Sequence, residues 1–346
     1  MGRKKGACKT ARPTSLDVSR LAGVSQATVS RAFSNDSLLA PATKERVLEA
    51  ASQLGYIPNA IARCMVSTQT NLVGIVVFQN ESPFQSNIIN LLSRELRARG
   101  WYAVVVYQKE NETQEETILN ALMYRVDGVF ITEVENTAGV AEVCASANVP
   151  VVLVSRDVDG NQISTISCDD YSSSSVIAEY LGSMGIRRVA CLLASPEAST
   201  TQNRLQGFMD RSNACGIEIT AILYEDRYSY RSGKALAEAV CSQRGGELPD
   251  ALFCSGDIIA LGAMDYLRME KGLRIPEDIS VIGFDGIAES EWLSYSLTTM
   301  RQPVEEMVAA ACDILIQAIQ GHSVKPVRQI FQCVLCERNS VKRQED

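Results

Sequence analysis

From Asn71 onward the chain repeats one unit, a short β-rich run followed by an amphipathic stretch, roughly every 20–35 residues. The runs are Leu72–Phe78, Ala103–Tyr107, Gly128–Ile131, Val151–Val154, Val189–Leu193, Ala251–Cys254 and Ile279–Phe284, and Ile163–Cys168 precedes Asp169 and Asp170. Ile88, Ile89, Leu91, Leu92 and Leu96 typify the stretches between them. Strands that are apolar throughout need cover on both faces, and strands alternating with helices lie parallel. The pattern therefore requires parallel sheets covered by helices. About 275 residues are too many for one small sheet, which predicts two α/β lobes. No internal repeat or low-complexity linker separates them.

The whole chain has 346 residues, 46% apolar and 21% charged. That composition is ordinary for a globular protein and excludes disorder or fibre as the overall state. Its apolar runs fall far short of the ~20 residues a bilayer crossing needs, so no membrane partner is expected. Charge is unevenly spread. Residues 1–66 hold ten basic residues (Arg3, Lys4, Lys5, Lys9, Arg12, Arg20, Arg31, Lys44, Arg46, Arg63) against Asp17, Asp36, Glu45 and Glu49, a net of +6. The other 280 residues carry −14, giving the chain its −8. A cationic head on an anionic body suggests that only the head meets a polyanion. A solvated tail at Arg3–Lys9 would account for four of those charges and not for the rest.

Eleven cysteines cannot all pair. Cys333-x-x-Cys336 falls in Val327–Leu335, which reads as a strand, and residues three apart on a strand face opposite ways. With His322 the only histidine, no zinc site and no cofactor is expected. The thiols read as small buried hydrophobes in a reducing compartment. Gly6-Ala7-Cys8 looks like the end of a lipoprotein signal, but no apolar stretch precedes it; a cytoplasmic location is expected.

Within the head, Thr14 and Asp17 have the spacing of a capping box, and Val18, Leu21 and Ala22 form one apolar face. Gly23 can take a positive φ and end this helix. Ser25 caps a second helix whose apolar face is Val29 and Phe33. A third opens at Pro41, places Val47, Ala51 and Leu54 on one face, and stops at Gly55. Two helices joined by a glycine turn, with a third behind, make a helix-turn-helix, whose second helix enters the major groove. Its outward residues are Gln26, Ala27, Thr28, Ser30 and Arg31. Gln pairs bidentately with adenine, Arg with guanine, and an Ala methyl touches thymine. Ser25, Thr28 and Ser30 suit phosphates, which position without reading sequence. A plain three-helix bundle with a polar face is the alternative.

In open α/β sheets ligands sit beyond the carboxyl ends of the strands. The polar and aromatic residues there are Pro83 and Phe84, Arg156, Asp169 and Asp170, Arg204, Asp257 and Asp285. Charged planar groups grip vicinal hydroxyls while a ring stacks on C–H faces, so the set suits a polyol. Each could equally cap a loop.

The run from Leu16 to Phe33 (LDVSRLAGVSQATVSRAF), with Gly55 to Arg63 (GYIPNAIAR) after it, closely resembles the headpiece of the lactose-repressor (LacI) family of bacterial transcription regulators. The resemblance implies a three-helix headpiece over residues 1–58, a hinge helix and linker over 59–70, and an effector and dimerisation domain over 71–346. That domain is expected to have the periplasmic-binding-protein type I fold, its chain crossing between lobes three times. The N-lobe would hold about 71–162 and 299–326, the C-lobe about 163–298 and 327–346. Met65 stands where the family has a wedging Leu, after Cys64 where Ser is common. Met is apolar and can still unstack a base step in the minor groove. Ala40 replaces the usual capping Ser, at a cost of about 1 kcal/mol. An eight-residue hinge helix is too short to persist alone in water and should order only when two copies meet on DNA. Thr14, Arg20, Asn59 and Arg63 complete the expected DNA-binding set.

The same resemblance assigns Pro83, Phe84, Arg204 and Asp285 to the effector and puts Asp170 near another contact position, while Arg156 and Asp257 join the expected effector set by their place beyond the strand ends. Gln85 stands where a second aromatic is frequent, Gly256 where Asn often precedes Asp257, and Gly286 where Asp or Asn is usual. Trp292 could replace lost stacking area or simply anchor its loop. The implied function is a dimeric regulator, expected to be a repressor, that binds palindromic double-stranded operator DNA and answers to a small sugar-like effector through a reciprocal coupling of 1–3 kcal/mol. An α/β enzyme with an accessory DNA module lacks support. The chain shows no glycine-rich phosphate loop, no G-x-S-x-G elbow, and no histidine placed as base. An exported sugar receptor would share the lobes but not the head. Ser340–Asp346 shows no apolar heptads, so no tetramerising coiled coil is expected.

Overall fold

The computed structural model describes residues 13–33, 39–57, 69–78, 82–132, 137–155, 163–242, 247–321 and 325–343. Two compact units emerge, Met1–Thr70 and Asn71–Asp346. Expectations for Asn59, Arg63, Cys64, Met65, Arg156 and His322 fall outside the described residues.

In the first unit, α1 (Ser15–Ala22), α2 (Gln26–Ala32) and α3 (Pro41–Leu54) follow the local signals. The Thr14 hydroxyl accepts from Asp17 N, and Asp17 Oδ2 accepts from Thr14 N at 2.8 Å, closing the capping box. Gly23 takes φ 62 and ends α1, and Gly55 takes φ 64 and ends α3. Ser25 caps α2 by accepting from Thr28 N at 3.1 Å. Ala40 precedes α3 with no side-chain cap. Val18, Ala22, Val29, Ala32, Val47, Ala50 and Ala51 form the core, and Phe33 meets the Tyr56 ring at 5.8 Å. Leu21 is 51% exposed, so the apolar face of α1 is narrower than expected. A two-turn helix holds only one buried stripe, and Val18 with Ala22 fills it.

The second unit begins with β1 (Leu72–Val77), α4 (Pro83–Ala98), β2 (Tyr102–Tyr107), α5 (Gln114–Leu122), β3 (Gly128–Ile131), α6 (Thr137–Ser146), β4 (Val151–Val154) and β5 (Ser164–Cys168). It continues through α7 (Asp170–Ser183), β6 (Arg188–Leu193), α8 (Ser199–Ser212), β7 (Glu218–Tyr224), α9 (Tyr230–Cys241), β8 (Ala251–Cys254), α10 (Asp257–Met269) and β9 (Ser280–Asp285). The last elements are β10 (Thr298–Arg301), α11 (Val304–Ile319), β11 (Arg328–Phe331) and β12 (Val334–Cys336). Two sheets result, ordered β11-β5-β4-β3-β1-β2 and β12-β10-β9-β8-β6-β7. All neighbours are parallel except β12 on β10. No described helix is long and apolar enough to cross a membrane.

The lobe boundaries differ from the expected ones, each by about one strand. Ser164–Cys168 extends the first sheet by pairing with β4, although it was assigned to the C-lobe. Thr298–Arg301 pairs with β9 in the second sheet, although residues from 299 were assigned to the N-lobe. Val327–Leu335 is not one strand. It breaks at Gln332–Cys333, so that β11 joins the first sheet and β12 the second. A parallel strand is held by its ladder partners rather than by its own residues, so composition does not reveal which sheet owns it. The three crossings follow β5, follow β10, and separate β11 from β12.

Candidate functional site

In the head, Ser25 and Thr28 bond to each other at 2.8 Å across the start of α2, which fixes that turn. Gln26, Ala27, Ser30 and Arg31 are exposed beyond it; Thr28 is half-buried. Gln26 Nε2 donates to Ser15 Oγ at 2.8 Å, so α1 holds the side chain at the edge of the face. Arg20 and Thr14 lie exposed on α1 and at its cap, with Arg20 Nη1 3.9 Å from Asp17 Oδ1. The helix thus presents amide, methyl, hydroxyl and guanidinium groups on one rigid surface.

In the body, the carboxyl ends of the second sheet gather a buried charge cluster. Arg204, from the first turns of α8, donates through Nε to Asp170 Oδ1 at 2.8 Å and through Nη1 to Ser255 O at 2.5 Å. Nη1 also lies 3.4 Å from Asp285 Oδ1, and the guanidinium carbon sits 3.7 Å from the Phe284 ring centre. Gln302 Nε2 donates to Asp285 Oδ1 at 2.8 Å, and the Tyr228 hydroxyl donates to Oδ2. Asp170, Arg204 and Asp285 therefore meet as expected; Tyr228, Phe284 and Gln302 are partners that sequence reading missed. Burial works against the charge on Arg204, but Asp170 and Asp285 outweigh it and hold the guanidinium above its ordinary range. Burial pushes the Asp285 carboxyl up to about 6, opposed by Arg204 and the Tyr228 bond. Burial and then Asp285 raise the Tyr228 phenol well above its usual value.

Asp257 sits behind this cluster rather than in it. Its side chain is fully buried and accepts from Thr299 Oγ1 at 2.5 Å, Gly286 N at 2.8 Å and Ile287 N at 2.9 Å. These bonds make Asp257 a brace of the bend that follows Asp285. Asp285 has φ 112 and Gly286 φ 75, and the Asp257 carboxylate clamps the amides just after that strained bend. A Cβ on Gly286 would lie 2.5 Å from Arg301 Cγ, so the missing Asp or Asn has a steric cause. Gly256 leaves room in the same way: a Cβ there would lie 1.5 Å from the Tyr228 hydroxyl. Tyr228 occupies the space that a larger residue 256 would need.

Burial and the neighbouring Asp285 push Asp257 up to about 8. Its folded value lies above the ordinary 3.8, so the folded chain holds the proton more tightly. The resulting stability is complete below pH ~4 and is lost as pH rises through about 8, with a slope approaching 1.4 kcal/mol per pH unit. Asp285 adds the same sign up to about 6. Urea unfolding of Asp257→Asn is expected to show a flatter pH dependence than wild type between pH 6 and 8; an unchanged slope would contradict the assignment.

At the carboxyl ends of the first sheet, Pro83 opens α4 and Phe84 is buried. Gln85 Oε1, Thr132 Oγ1 and Ser155 Oγ are buried with no hydrogen-bond partner among the described residues. Ser155 also has φ 68, a strain that typically marks function. Only Gln85 among them was noted from sequence, as a departure. Trp292 is exposed, with its ring centre 6.5 Å from that of Tyr295.

Residues 14–59 match the model of the bacterial regulatory proteins of the lacI family, and residues 178–341 match the periplasmic binding protein-like domain. The transcriptional regulator CelR of Thermobifida fusca is 30% identical over 338 residues, covering 95% of this chain and 98% of that protein. The transcriptional repressor PurR of Pasteurella multocida is 29% identical over 332 residues, covering 95% and 98%. Among solved structures, the lac repressor dimer bound to operator and the anti-inducer ONPF superposes with TM-score 0.83 at 28% identity, covering 95% of this chain and 99% of that one. The CelR–cellobiose complex gives 0.71 at 30%, covering 95% and 100%. These relatives are named as regulators or repressors of transcription. A lacI-type DNA-binding head precedes a two-sheet effector-binding body, and this chain belongs to the lacI family of bacterial regulatory proteins.

Proposed function

We propose that this chain is a cytoplasmic, dimeric, effector-controlled repressor of a palindromic operator. The observation that carries the reading is the exposed polar face of α2, Gln26, Ala27, Ser30 and Arg31, on a capped helix whose other side is core. Thr14, Arg20, Ser25 and Thr28 flank it as backbone contacts, and Asn59, Arg63 and Met65 are assigned to the hinge. Replacing Arg31 by Ala is expected to cost about 1–3 kcal/mol on the preferred duplex and to relax base preference at one position. Arg20→Ala should weaken all sequences alike. Fluorescence anisotropy over a panel of single-base variants checks both, and equal losses for both variants on every duplex would contradict the groove assignment.

The effector is a sugar or sugar derivative. Arg204, Asp170 and Asp285 grip its hydroxyls, with Pro83, Phe84 and Arg156 contributed from the first sheet and Asp257 bracing from behind. A relative solved as a cellobiose complex supports this class. At a hundred times its Kd a sugar stabilises the body by about 2.7 kcal/mol. A thermal-shift panel of neutral oligosaccharides, sugar acids and nucleobases should therefore show an upward shift of roughly 5 °C for sugars. A response confined to nucleobases would reassign the site.

For the dimer face, Leu293 is fully exposed and Met269 80% exposed. The loop that carries Leu293 is tied to α10 by Arg268, which donates to Ser294 O, and by Tyr295, whose hydroxyl donates to Asp265 Oδ2 at 2.8 Å. Apolar side chains on so fixed a loop are suited to burial against a second copy. Leu293→Asp is expected to shift sedimentation toward monomer at least tenfold in concentration; an unchanged equilibrium would place the interface elsewhere.

A further inference from the structure

Ser15 is the first residue of α1 and Gln26 the first residue of α2, and the fold of the head sets their side chains against each other. Each stands on backbone that a neighbouring cap has already fixed. Thr14 N donates to Asp17 Oδ2 at 2.8 Å around Ser15, and Ser25 Oγ accepts from Thr28 N at 3.1 Å around Gln26. Val18 of α1 and Val29 of α2 are buried in one core, so the two helices are locked together beneath the pair. On that frame Gln26 Nε2 donates to Ser15 Oγ at 2.8 Å. Gln26 is exposed and Ser15 half-buried, which puts the bond where the outward face of α2 begins.

We propose that Ser15 sets base preference by holding the Gln26 amide in place before DNA arrives. The inference rests on the reading of α2 as the groove helix. A glutamine side chain carries a donor and an acceptor on a flexible stem. Unheld, it can satisfy any base edge in the major groove with a single bond: N7 of either purine, O4 of thymine, or the amino group of cytosine. Adenine alone sets an acceptor, N7, beside a donor, the N6 amino group, in a pattern that the amide meets with both of its polar atoms. The bond to Ser15 uses one of the two N–H groups on Nε2 and leaves the other, together with Oε1, for that pair. Holding the stem removes rotamers in which the amide would bond a wrong base singly. It also places the ordering of a long side chain in the folded head rather than at the operator, which favours the one base the held amide fits. Ser15 acts through Gln26 and is therefore a positioning residue, whose effect is confined to one base pair of each half-site.

The test uses the full chain and a panel of duplexes with single-base changes, read by fluorescence anisotropy. Gln26→Ala first marks the base pair at which preference depends on Gln26. At that pair Ser15→Ala is expected to lower the preference roughly fivefold or more, the low end of what a bidentate contact discriminates, with the other positions unchanged. The helix is not at risk, since alanine favours it and Thr14 with Asp17 keeps the cap. Ser15→Thr, which retains the hydroxyl, should restore the preference. In a chain that already carries Gln26→Ala, Ser15→Ala should change nothing further at that pair. An equal loss on every duplex would make Ser15 a phosphate contact and overturn the proposal, as would losses that simply add in the double variant. If Gln26→Ala alters no preference, the groove reading fails and the proposal with it. If Gln26→Ala alters it and Ser15→Ala does not, the positioning role alone is overturned.

Discussion

Arg204→Ala is expected to destabilise the body by about 3–5 kcal/mol, because it leaves Asp170 and Asp285 buried without their cation. The Nε–Asp170 bond at 2.8 Å and the stacking on Phe284 disappear with it. A pair this deeply buried gives little net stability when intact, but removing one member exposes the desolvation cost of the other two. Asp285 would then take up a proton near neutral pH, since Arg204 is the main influence opposing the upward push of burial. Arg204→Lys separates folding from function. It keeps the charge but loses the planar fork that reaches Asp170, Ser255 and Asp285 at once. That variant should remain folded and bind operator while its response to effector falls by at least tenfold. Urea unfolding measures the first effect, and operator release in the presence of the active sugar measures the second. An unaltered midpoint in Arg204→Ala, or full induction in Arg204→Lys, would remove Arg204 from the centre of the site.

Gly256→Asn is the second substitution with a large expected effect. Its Cβ would need space 1.5 Å from the Tyr228 hydroxyl and 2.1 Å from the ring carbon bearing it, so the phenol must leave. Overpacking costs about 1–3 kcal/mol, and losing the Tyr228 bond to the Asp285 carboxylate adds about 1.5–3 kcal/mol. Tyr228 stands just before α9, and that helix cannot slide to carry it away. A Cβ on Gly233 of α9 would already lie 2.0 Å from Ile259 O of α10, so those backbones are in close contact. Tyr228→Ala in the same chain should relieve the overpacking, making the double variant more stable than Gly256→Asn alone. A double-mutant cycle by chemical denaturation tests this. A strictly additive cycle would mean that Tyr228 and residue 256 do not compete for one space.

Local chemistry was legible wherever the signal and its effect lie within a few residues. Thr14 with Asp17, Ser25, Gly23 and Gly55 act on their own helix ends, and the structure shows each doing so. The strands of the body fall within a residue or so of the apolar runs that announce them. Ownership of a strand is a long-range property and was not legible: Ser164–Cys168 and Thr298–Arg301 each joined the sheet not expected of them. Glu218–Tyr224 passed unnoticed because it is an edge strand whose polar Glu218 and Thr220 interrupt the apolar run. At the site, Arg204, Asp170 and Asp285 carried signals of their own, charge at the end of a strand or start of a helix. Tyr228 and Gln302 did not, since their roles depend on what faces them across the fold. Gly256 offered the one available hint to Tyr228, as a small residue implies something occupying the space it leaves.

The central claim is that the α2 face reads double-stranded DNA, and selection from randomised duplexes by the full chain tests it most directly. The account predicts enrichment of a two-fold symmetric sequence, bound at least a thousandfold more tightly than random duplex at physiological salt, with the preference lost when Gln26 and Arg31 are both replaced by Ala. Recovery of no sequence above the random background, or an enriched sequence that the doubly substituted chain binds equally well, would contradict it.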